Sequence, residues 1–121
     1  MDTPIGIRPG LEGRMERTVE GELITRHVGG RGIFSTPAMI GLMEATSHRS
    51  VAALLPDGHT TVGYEVHVRH LAPAAPGSTV TVLSRVTEVS GNKLHFEVEC
   101  RQGDRLLGSG IHKRAIVPAN F

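Results

Sequence analysis

The sequence predicts an α+β domain in which a five-stranded antiparallel sheet wraps around one long central helix. Two observations predict this class: one long apolar segment has helical periodicity, and strand candidates separated by turn signals lie before and after it. The chain has 121 residues, a length that supports one hydrophobic core but not two. We therefore interpret residues 1–121 as a single domain.

The N-terminal part is predicted to be irregular apart from one strand. Residues 1–12 are interpreted as an arm, and residues 14–23 as a weakly patterned strand. The glycine-rich segment 27–32 matches neither a P-loop nor a dinucleotide-binding fingerprint, because it lacks a GK[ST] sequence and a preceding buried strand. We interpret it as a flexible loop.

One long helix is predicted to follow this loop. Either Ser35 or Thr36 can cap it, and Pro37 stands at the favoured first helical position. Apolar residues then recur at helical spacing until the turn sequence at 56–58, which gives a helix of roughly 19 residues and about 28 Å. Few polar residues lie in its first half, which is therefore expected to be deeply buried.

Four further strands are predicted, paired in antiparallel hairpins. Alternating apolar and polar residues mark them at 62–70, 80–89, 93–101 and 106–117. Gly108 and Gly110 in the last strand indicate a bulge or a close approach of two backbones. An antiparallel sheet with one apolar face needs a cover, and the long helix is the only candidate. The order of elements therefore predicts the hot-dog architecture.

Composition excludes several classes of function. A net charge of +1 gives no electrostatic footprint for nucleic acid, and no apolar run approaches the roughly 18 residues that span a membrane. The N-terminal residues lack a signal-peptide pattern, and the single cysteine, Cys100, cannot form an intrachain disulfide, so a cytoplasmic location is expected. The alternation predicts that Cys100 is a core residue rather than a nucleophile.

Three residues could carry chemistry. Glu44 lies in the most apolar part of the helix, where a carboxylate either turns towards solvent or a salt-bridge partner, or is held in a low-dielectric pocket as a base or nucleophile. His70, at a strand end, is either a hydrogen-bonded rim residue or a general acid and base. Thr36 is either a simple helix cap or a hydroxyl that stabilises an oxyanion at the positive end of the helix dipole.

The seven histidines do not predict a metal site. His67 and His70 are an odd number of residues apart on one strand, so they point to opposite faces of the sheet. The chain has neither an HExxH sequence nor a pair of cysteines. We therefore expect neither a metal nor a cofactor.

Three segments together resemble the hot-dog thioesterases of the fluoroacetyl-CoA thioesterase family. Their sequences are TPAMIGLMEA at 36–45, GYEVHVRHLAPAAPG at 63–77 and GSGIHKRA at 108–115. The combination and order of the three segments carry the resemblance, which runs from about Thr36 to Val117. It implies a hot-dog homodimer with active sites at the subunit interface, and it leaves open whether dimers pair into tetramers.

The resemblance also implies a catalytic constellation of threonine, glutamate and histidine. Thr36 matches the hydroxyl at the helix start, Glu44 the carboxylate on the helix and His70 the histidine on the strand. Gly63 matches a strand glycine beside the acyl pocket, where a missing side chain leaves room for the thioester. Glu44 would either attack the thioester carbonyl or activate a water molecule.

One segment departs from the family pattern. Members specialised for fluoroacetyl-CoA have phenylalanines just ahead of the threonine, whereas residues 27–33 are glycine-rich here and only Phe34 is aromatic. The expected substrate is therefore a short or medium acyl-CoA, with Phe34 at the binding site. Arg69, Lys113 and Arg114 lie near predicted strand ends and either contact the CoA phosphates or are solvated surface charges.

Two other functions fit the predicted fold. A non-catalytic acyl-CoA or lipid-binding hot-dog module would keep the pocket and the dimer but would make no use of Glu44. A hot-dog dehydratase usually has an aspartate and histidine pair on a loop and a helix, and this sequence shows no such arrangement.

Overall fold

The computed structural model describes residues 3–120, which contain seven strands and one α-helix. The predicted arm begins outside this range, at Met1 and Asp2. In chain order the elements are β1 (Glu12–Thr18), β2 (Ile24–Thr25), β3 (Ile33–Phe34), α1 (Thr36–Ala52), β4 (His59–His70), β5 (Thr79–Ser90), β6 (Lys93–Gln102) and β7 (Arg105–Pro118). A short 3-10 turn, Gly21–Leu23, occupies the end of the first predicted strand.

Five strands form one antiparallel sheet in the order β1-β5-β6-β7-β4. Strands β5 to β7 form the predicted hairpins, whose turns contain Gly91 and Gly103 with φ of 59° each, a left-handed conformation that suits glycine. The predicted hairpin between β4 and β5 is wrong. Because α1 lies across the sheet and contacts all five strands, the strands before and after it reach opposite edges, and β4 pairs with β7.

Helix α1 begins as predicted and ends early. The side chain of Ser35 caps it by accepting a hydrogen bond from the backbone N–H of Ala38, 3.1 Å away. The helix ends at Ala52 because the next backbone N–H groups, from Leu54 onwards, bond three residues back and tighten the chain into a turn. Its 17 residues are therefore fewer than the sequence predicted.

The first half of α1 is buried on one side only. Met39, Leu42 and Met43 pack against the inner face of the sheet, whereas Pro37 and Gly41 are exposed. The prediction of a deeply buried first half is therefore wrong for the side of the helix that carries Pro37 and Gly41.

The hydrophobic core fills the space between α1 and the inner face of the sheet. Phe34 and Phe96 are among its largest side chains, and Cys100 is fully buried within it. Burial raises the pKa of the Cys100 thiol to about 11, so the thiol stays protonated at neutral pH. The prediction that Cys100 is a core residue is confirmed.

A bulge at Tyr64 divides β4 into two phases. The register pairs Gly63 with Arg114 but Glu65 with Lys113, so Tyr64 is an extra residue. The single alternation predicted for this strand is therefore wrong. Thr61 and Gly63 face the helix before the bulge, and Val66, Val68 and His70 do so after it.

Two further predictions about the strands are confirmed. His70 lies on the inner face, whereas His67 is exposed on the outer face beside Glu65. A Cβ atom at Gly108 would lie 2.6 Å from the Sδ atom of Met39, and one at Gly110 would clash with the carbonyl oxygen of His67. These two glycines mark the close approaches that the sequence predicts. Within residues 3–120, α1 is neither long nor apolar enough to cross a membrane.

Candidate active site

A hydrogen bond joins the first residue of α1 to the last residue of β4. The Oγ1 atom of Thr36 lies 2.7 Å from Nδ1 of His70. Because Ser35 caps the helix, the hydroxyl of Thr36 is not needed for capping, and its interpretation as a simple cap is wrong. A hydroxyl beside an imidazole at the positive end of a helix can donate a proton or stabilise developing negative charge.

The imidazole of His70 is held by its surroundings. The buried ring of Phe34 packs against it edge-on, with ring centroids 6.1 Å apart and an interplanar angle of 76°. The Nε2 atom of His70 is buried without a hydrogen-bond partner among residues 3–120. Nδ1 is therefore the ring nitrogen that bonds to Thr36, and Phe34 orients the ring.

Thr36 and His70 line an open cavity of about 450 Å³. Its walls are mostly apolar and include Ile24, Val28 and Ile33. A cavity of this size and character can hold a small acyl group. Strands β2 and β3 pair on either side of the glycine-rich loop and set this wall in place. Sequence reasoning missed both strands because two-residue strands carry no periodic pattern.

Glu44 lies in a second cluster, apart from Thr36 and His70. Eight residues separate it from Thr36 along the helix, a rise of about 12 Å. A Cβ atom at Gly63 would lie 3.3 Å from Oε2 of Glu44 and 2.9 Å from Cε1 of His112. Gly63 thus leaves open the space beside a half-buried carboxylate, and one chain by itself does not bring together all three predicted catalytic residues.

Arg114 is buried beside this open space. Its side chain is 7% exposed, and its Nη1 atom would lie 3.1 Å from a Cβ atom at Gly63. The prediction that Arg114 lies near a strand end is wrong, because it lies inside β7. Its side chain is on the inner face of the sheet, since every second residue from Gly108 through Gly110 and His112 points to that face. Arg69, by contrast, is exposed, and its contact with the CoA phosphates stays a prediction.

Arg114 bonds to neutral acceptors. Its Nε donates to Oγ1 of Thr61 at 2.8 Å, and its Nη2 donates to the carbonyl oxygen of Thr61 at 2.9 Å. Its Nη1 lies 3.0 Å from Nε2 of His112. Burial lowers the pKa of Arg114, and the nearby Glu44 carboxylate opposes that effect.

Two histidines beside Arg114 favour their neutral forms. Burial, reinforced by the Arg114 charge, lowers the pKa of His112 and that of His48. Nδ1 of His112 donates to the carbonyl oxygen of Glu65 at 2.9 Å, so its Nε2 is free to accept from Arg114. A neutral His112 with its proton on Nδ1 therefore satisfies both the carbonyl oxygen of Glu65 and the guanidinium of Arg114.

These histidines predict a stability that falls in mild acid. Because the pKa values of His48 and His112 in the folded protein lie below the ordinary 6.5, the unfolded chain binds more protons just below that pH. The two histidines therefore make their whole contribution to the free energy of unfolding above about pH 6.5. This contribution decreases as the pH falls through the pKa values of the folded protein. Thermal unfolding followed by circular dichroism should show a midpoint that is level from about pH 8 to 7 and falls towards pH 5.5.

A matched variant separates these histidines from other groups. His112→Asn keeps a donor and an acceptor but does not titrate, so it should reduce the slope below pH 6.5. His95→Gln, on the outer face beside Glu88, should not. A midpoint that is flat or rises on acidification would contradict the assignment.

Sequence reasoning missed three polar residues of this cluster: His48, Thr61 and His112. His48 follows Glu44 by four residues, a spacing that places both on one face of a helix. His112 alternates with Gly110 and Arg114 on β7. Both signals were present in the sequence. Among residues 3–120, no group of three or more His, Cys, Asp or Glu side chains is arranged to hold a metal ion.

Solved structures define the class to which this fold belongs. A fluoroacetyl-CoA thioesterase structure has a TM-score of 0.87 and 31% identity, covering 94% of this chain and 90% of that one. A thioesterase superfamily member from Thermus thermophilus has a TM-score of 0.85 and 30% identity, covering 93% and 85% of the two chains. The protein is therefore a hot-dog-fold member of the thioesterase class, and the predicted fold is confirmed.

The particular family follows from the sequence. A family model described as fluoroacetyl-CoA-specific thioesterase matches residues 15–120, and the chain belongs to that family. The fluoroacetyl-CoA thioesterase of Streptantibioticus cattleyicolor is 38% identical over 85 residues, which cover 70% of this chain. The matched part spans 61% of that relative's length. The resemblance drawn from the three sequence segments is confirmed.

Proposed function

We propose that this chain hydrolyses a short or medium acyl-CoA to a free acid and CoA, at a site shared between the two subunits of a homodimer. The observation that carries the proposal is the contact of Thr36 with His70 at the start of α1, beside an apolar cavity. Family membership supports it. One structurally similar thioesterase was solved as a variant in complex with fluoroacetate and CoA.

The edge strand β4 supports the shared site. It runs for 12 residues at the border of the sheet, and Tyr64, Val66 and Leu71 near it are exposed. A long edge strand pairs readily with a second copy of itself. Two β4 strands can pair in antiparallel fashion about a two-fold axis near their middle. The end of one strand at His70 then lies beside the end of the other strand at Thr61.

This pairing closes the gap between the two clusters. In each chain Gly63 lies near the Thr61 end of β4 and directly beneath Glu44. His70 of the partner subunit then approaches Glu44 of the first chain, which the rise along α1 separates from its own Thr36. The dimer thus forms two equivalent sites, each with a glutamate from one chain and a threonine and histidine from the other.

The proposed reaction uses the residues in three roles. The thioester carbonyl binds near the start of α1, where backbone N–H groups and the hydroxyl of Thr36 stabilise the developing oxyanion. Glu44 either attacks the carbonyl carbon, expelling the thiolate and leaving an anhydride for water to hydrolyse, or removes a proton from an attacking water. His70 gives a proton to the departing CoA sulfur and recovers it from water. These residues require no metal or cofactor.

A single turnover in heavy-oxygen water distinguishes the two routes. Attack by Glu44 through an anhydride can place the heavy oxygen in the Glu44 carboxylate, whereas direct attack by water places it only in the released acid. Mass spectrometry of the peptide that contains Glu44 reads the result.

A hydrolysis screen tests the proposed activity. Release of free CoA is followed for purified protein with thioesters from acetyl-CoA to dodecanoyl-CoA, together with fluoroacetyl-CoA. We expect turnover of the short and medium thioesters, without marked preference for fluoroacetyl-CoA, because loop 27–32 carries no aromatic side chain. Binding without release of CoA from any thioester would favour the alternative, a non-catalytic acyl-CoA-binding module.

We also propose a cytoplasmic location, where acyl-CoA substrates and reducing conditions occur together. The buried, unpaired thiol of Cys100 supports it.

A further inference from the structure

A buried arginine and a half-buried glutamate lie on two sides of Gly63 without pairing. Oε2 of Glu44 and Nη1 of Arg114 both approach the position that a Cβ atom of Gly63 would occupy, at 3.3 and 3.1 Å. Within residues 3–120, neither the ion pairs nor the hydrogen bonds of Arg114 include Glu44. Opposite charges attract each other strongly in a low-dielectric site, so the position of the guanidinium has to be explained by its other partners.

These partners are neutral acceptors around the guanidinium. Four of its five N–H groups face Oγ1 and the carbonyl oxygen of Thr61, Nε2 of His112 and, at 3.4 Å, Nδ1 of His48. Because Thr61 Oγ1 accepts from Arg114, its own proton is free to go to Nδ1 of His48, 3.1 Å away. In the neutral form of His48, which burial and the Arg114 charge favour, Nδ1 can accept this proton.

We propose that Thr61 and His48 are positioning residues that hold Arg114 away from Glu44, so that the carboxylate stays unpaired and free to react. This inference rests on the proposed function, in which Glu44 acts on the thioester. A carboxylate bound to a guanidinium is a weaker base and a weaker nucleophile, because the ion pair stabilises its charge. Arg114 still lends positive charge to the site from its fixed position.

The titratable groups around Glu44 are few within the described part of one chain, and the proposed dimer adds His70 of the partner subunit. His48 faces it from α1, and His112 and Arg114 face it from β7. Strand β4 contributes Thr61 and Gly63, which do not titrate. A change in the titration of Glu44 after a substitution at Thr61 therefore reports on Arg114 or on one of the two histidines.

Thr61→Val tests the proposal, because valine keeps the shape of threonine and the backbone acceptor but removes the side-chain acceptor at Oγ1. The guanidinium should turn towards Glu44, the titration midpoint of the Glu44 carboxyl carbon in ¹³C NMR should move to lower pH, and kcat should fall roughly tenfold. The acid limb of the pH–kcat profile should shift in the same direction. Thr61→Ser, which keeps the hydroxyl, should leave all three at their native values, and Thr79→Val, at the exposed first residue of β5, should change none.

His48→Phe gives a second reading if Thr61→Val does not fold. It keeps a ring but cannot accept the proton of Thr61, so it should shift the Glu44 midpoint in the same direction. An unchanged midpoint in either folded variant would overturn the proposal. Because the NMR titration needs no substrate, it decides this inference even if the hydrolysis screen rejects the thioesterase activity.

Discussion

Glu44→Gln is expected to lower kcat/KM for acyl-CoA hydrolysis by roughly 10³-fold while acyl-CoA binding remains measurable. Glutamine occupies the same volume beside Gly63, so the cavity keeps its shape, but an amide can neither attack the carbonyl nor accept a proton from water. The loss should therefore appear in kcat rather than in substrate affinity. Steady-state release of CoA measures the first quantity, and calorimetry with a non-hydrolysable acyl-CoA analogue measures the second.

The matched control for this variant is Glu97→Gln. Glu97 is exposed on the outer face of the sheet and pairs with Arg85, so its loss should leave kcat/KM within about twofold, as a surface ion pair contributes little. If Glu44→Gln retained a tenth or more of the activity, Glu44 could be neither nucleophile nor base.

His70→Gln is expected to lower kcat by roughly 10²-fold to 10³-fold. Glutamine can still form a hydrogen bond with the hydroxyl of Thr36, so the start of α1 and the cavity wall should stay in place. It cannot carry a proton to the thiolate, however, so expulsion of CoA becomes slow. A thioester with a more acidic thiol needs less help in leaving, and the deficit of the variant should shrink on such a substrate.

Two measurements separate proton transfer from packing. The thermal midpoint of His70→Gln should stay near that of the native protein, since Phe34 and the core beneath the ring are unchanged. His95→Gln, on β6, should leave kcat unaltered. An equal deficit of His70→Gln on all leaving groups would argue that His70 only shapes the cavity.

Local signals in the sequence predicted most of the elements. Alternation predicted the strands, and Gly91 and Gly103 predicted the tight turns, because these features depend only on neighbouring residues. The pairing of β4 with β7 joins residues that are 38 positions apart at His70 and Gly108 and 59 apart at His59 and Pro118, which no local pattern encodes. The end of α1 at Ala52 likewise depends on packing rather than on the next turn signal.

The candidate site was predicted in its residues but not in its arrangement. The resemblance supplied Thr36, Glu44 and His70, and the structure brings only the first and third together in one chain. The alternation of Arg114 with two inward glycines on β7 contained its orientation, but we did not predict it, because a basic residue on a strand is ordinarily expected outside. The bulge at Tyr64 reverses the phase of β4, and a single extra residue has no signature in a pattern of period two.

The central claim is that each site combines Glu44 of one chain with His70 of the other, and heterodimers test it directly. Two inactive variants, Glu44→Gln and His70→Gln, are co-expressed with different tags, and the heterodimer is isolated by two affinity steps. One of its two sites then carries both substitutions and the other carries neither, so about half of the native kcat per dimer should return. Heterodimers that remain as inactive as the two parent variants would show that each site is built within one chain, and would contradict the account.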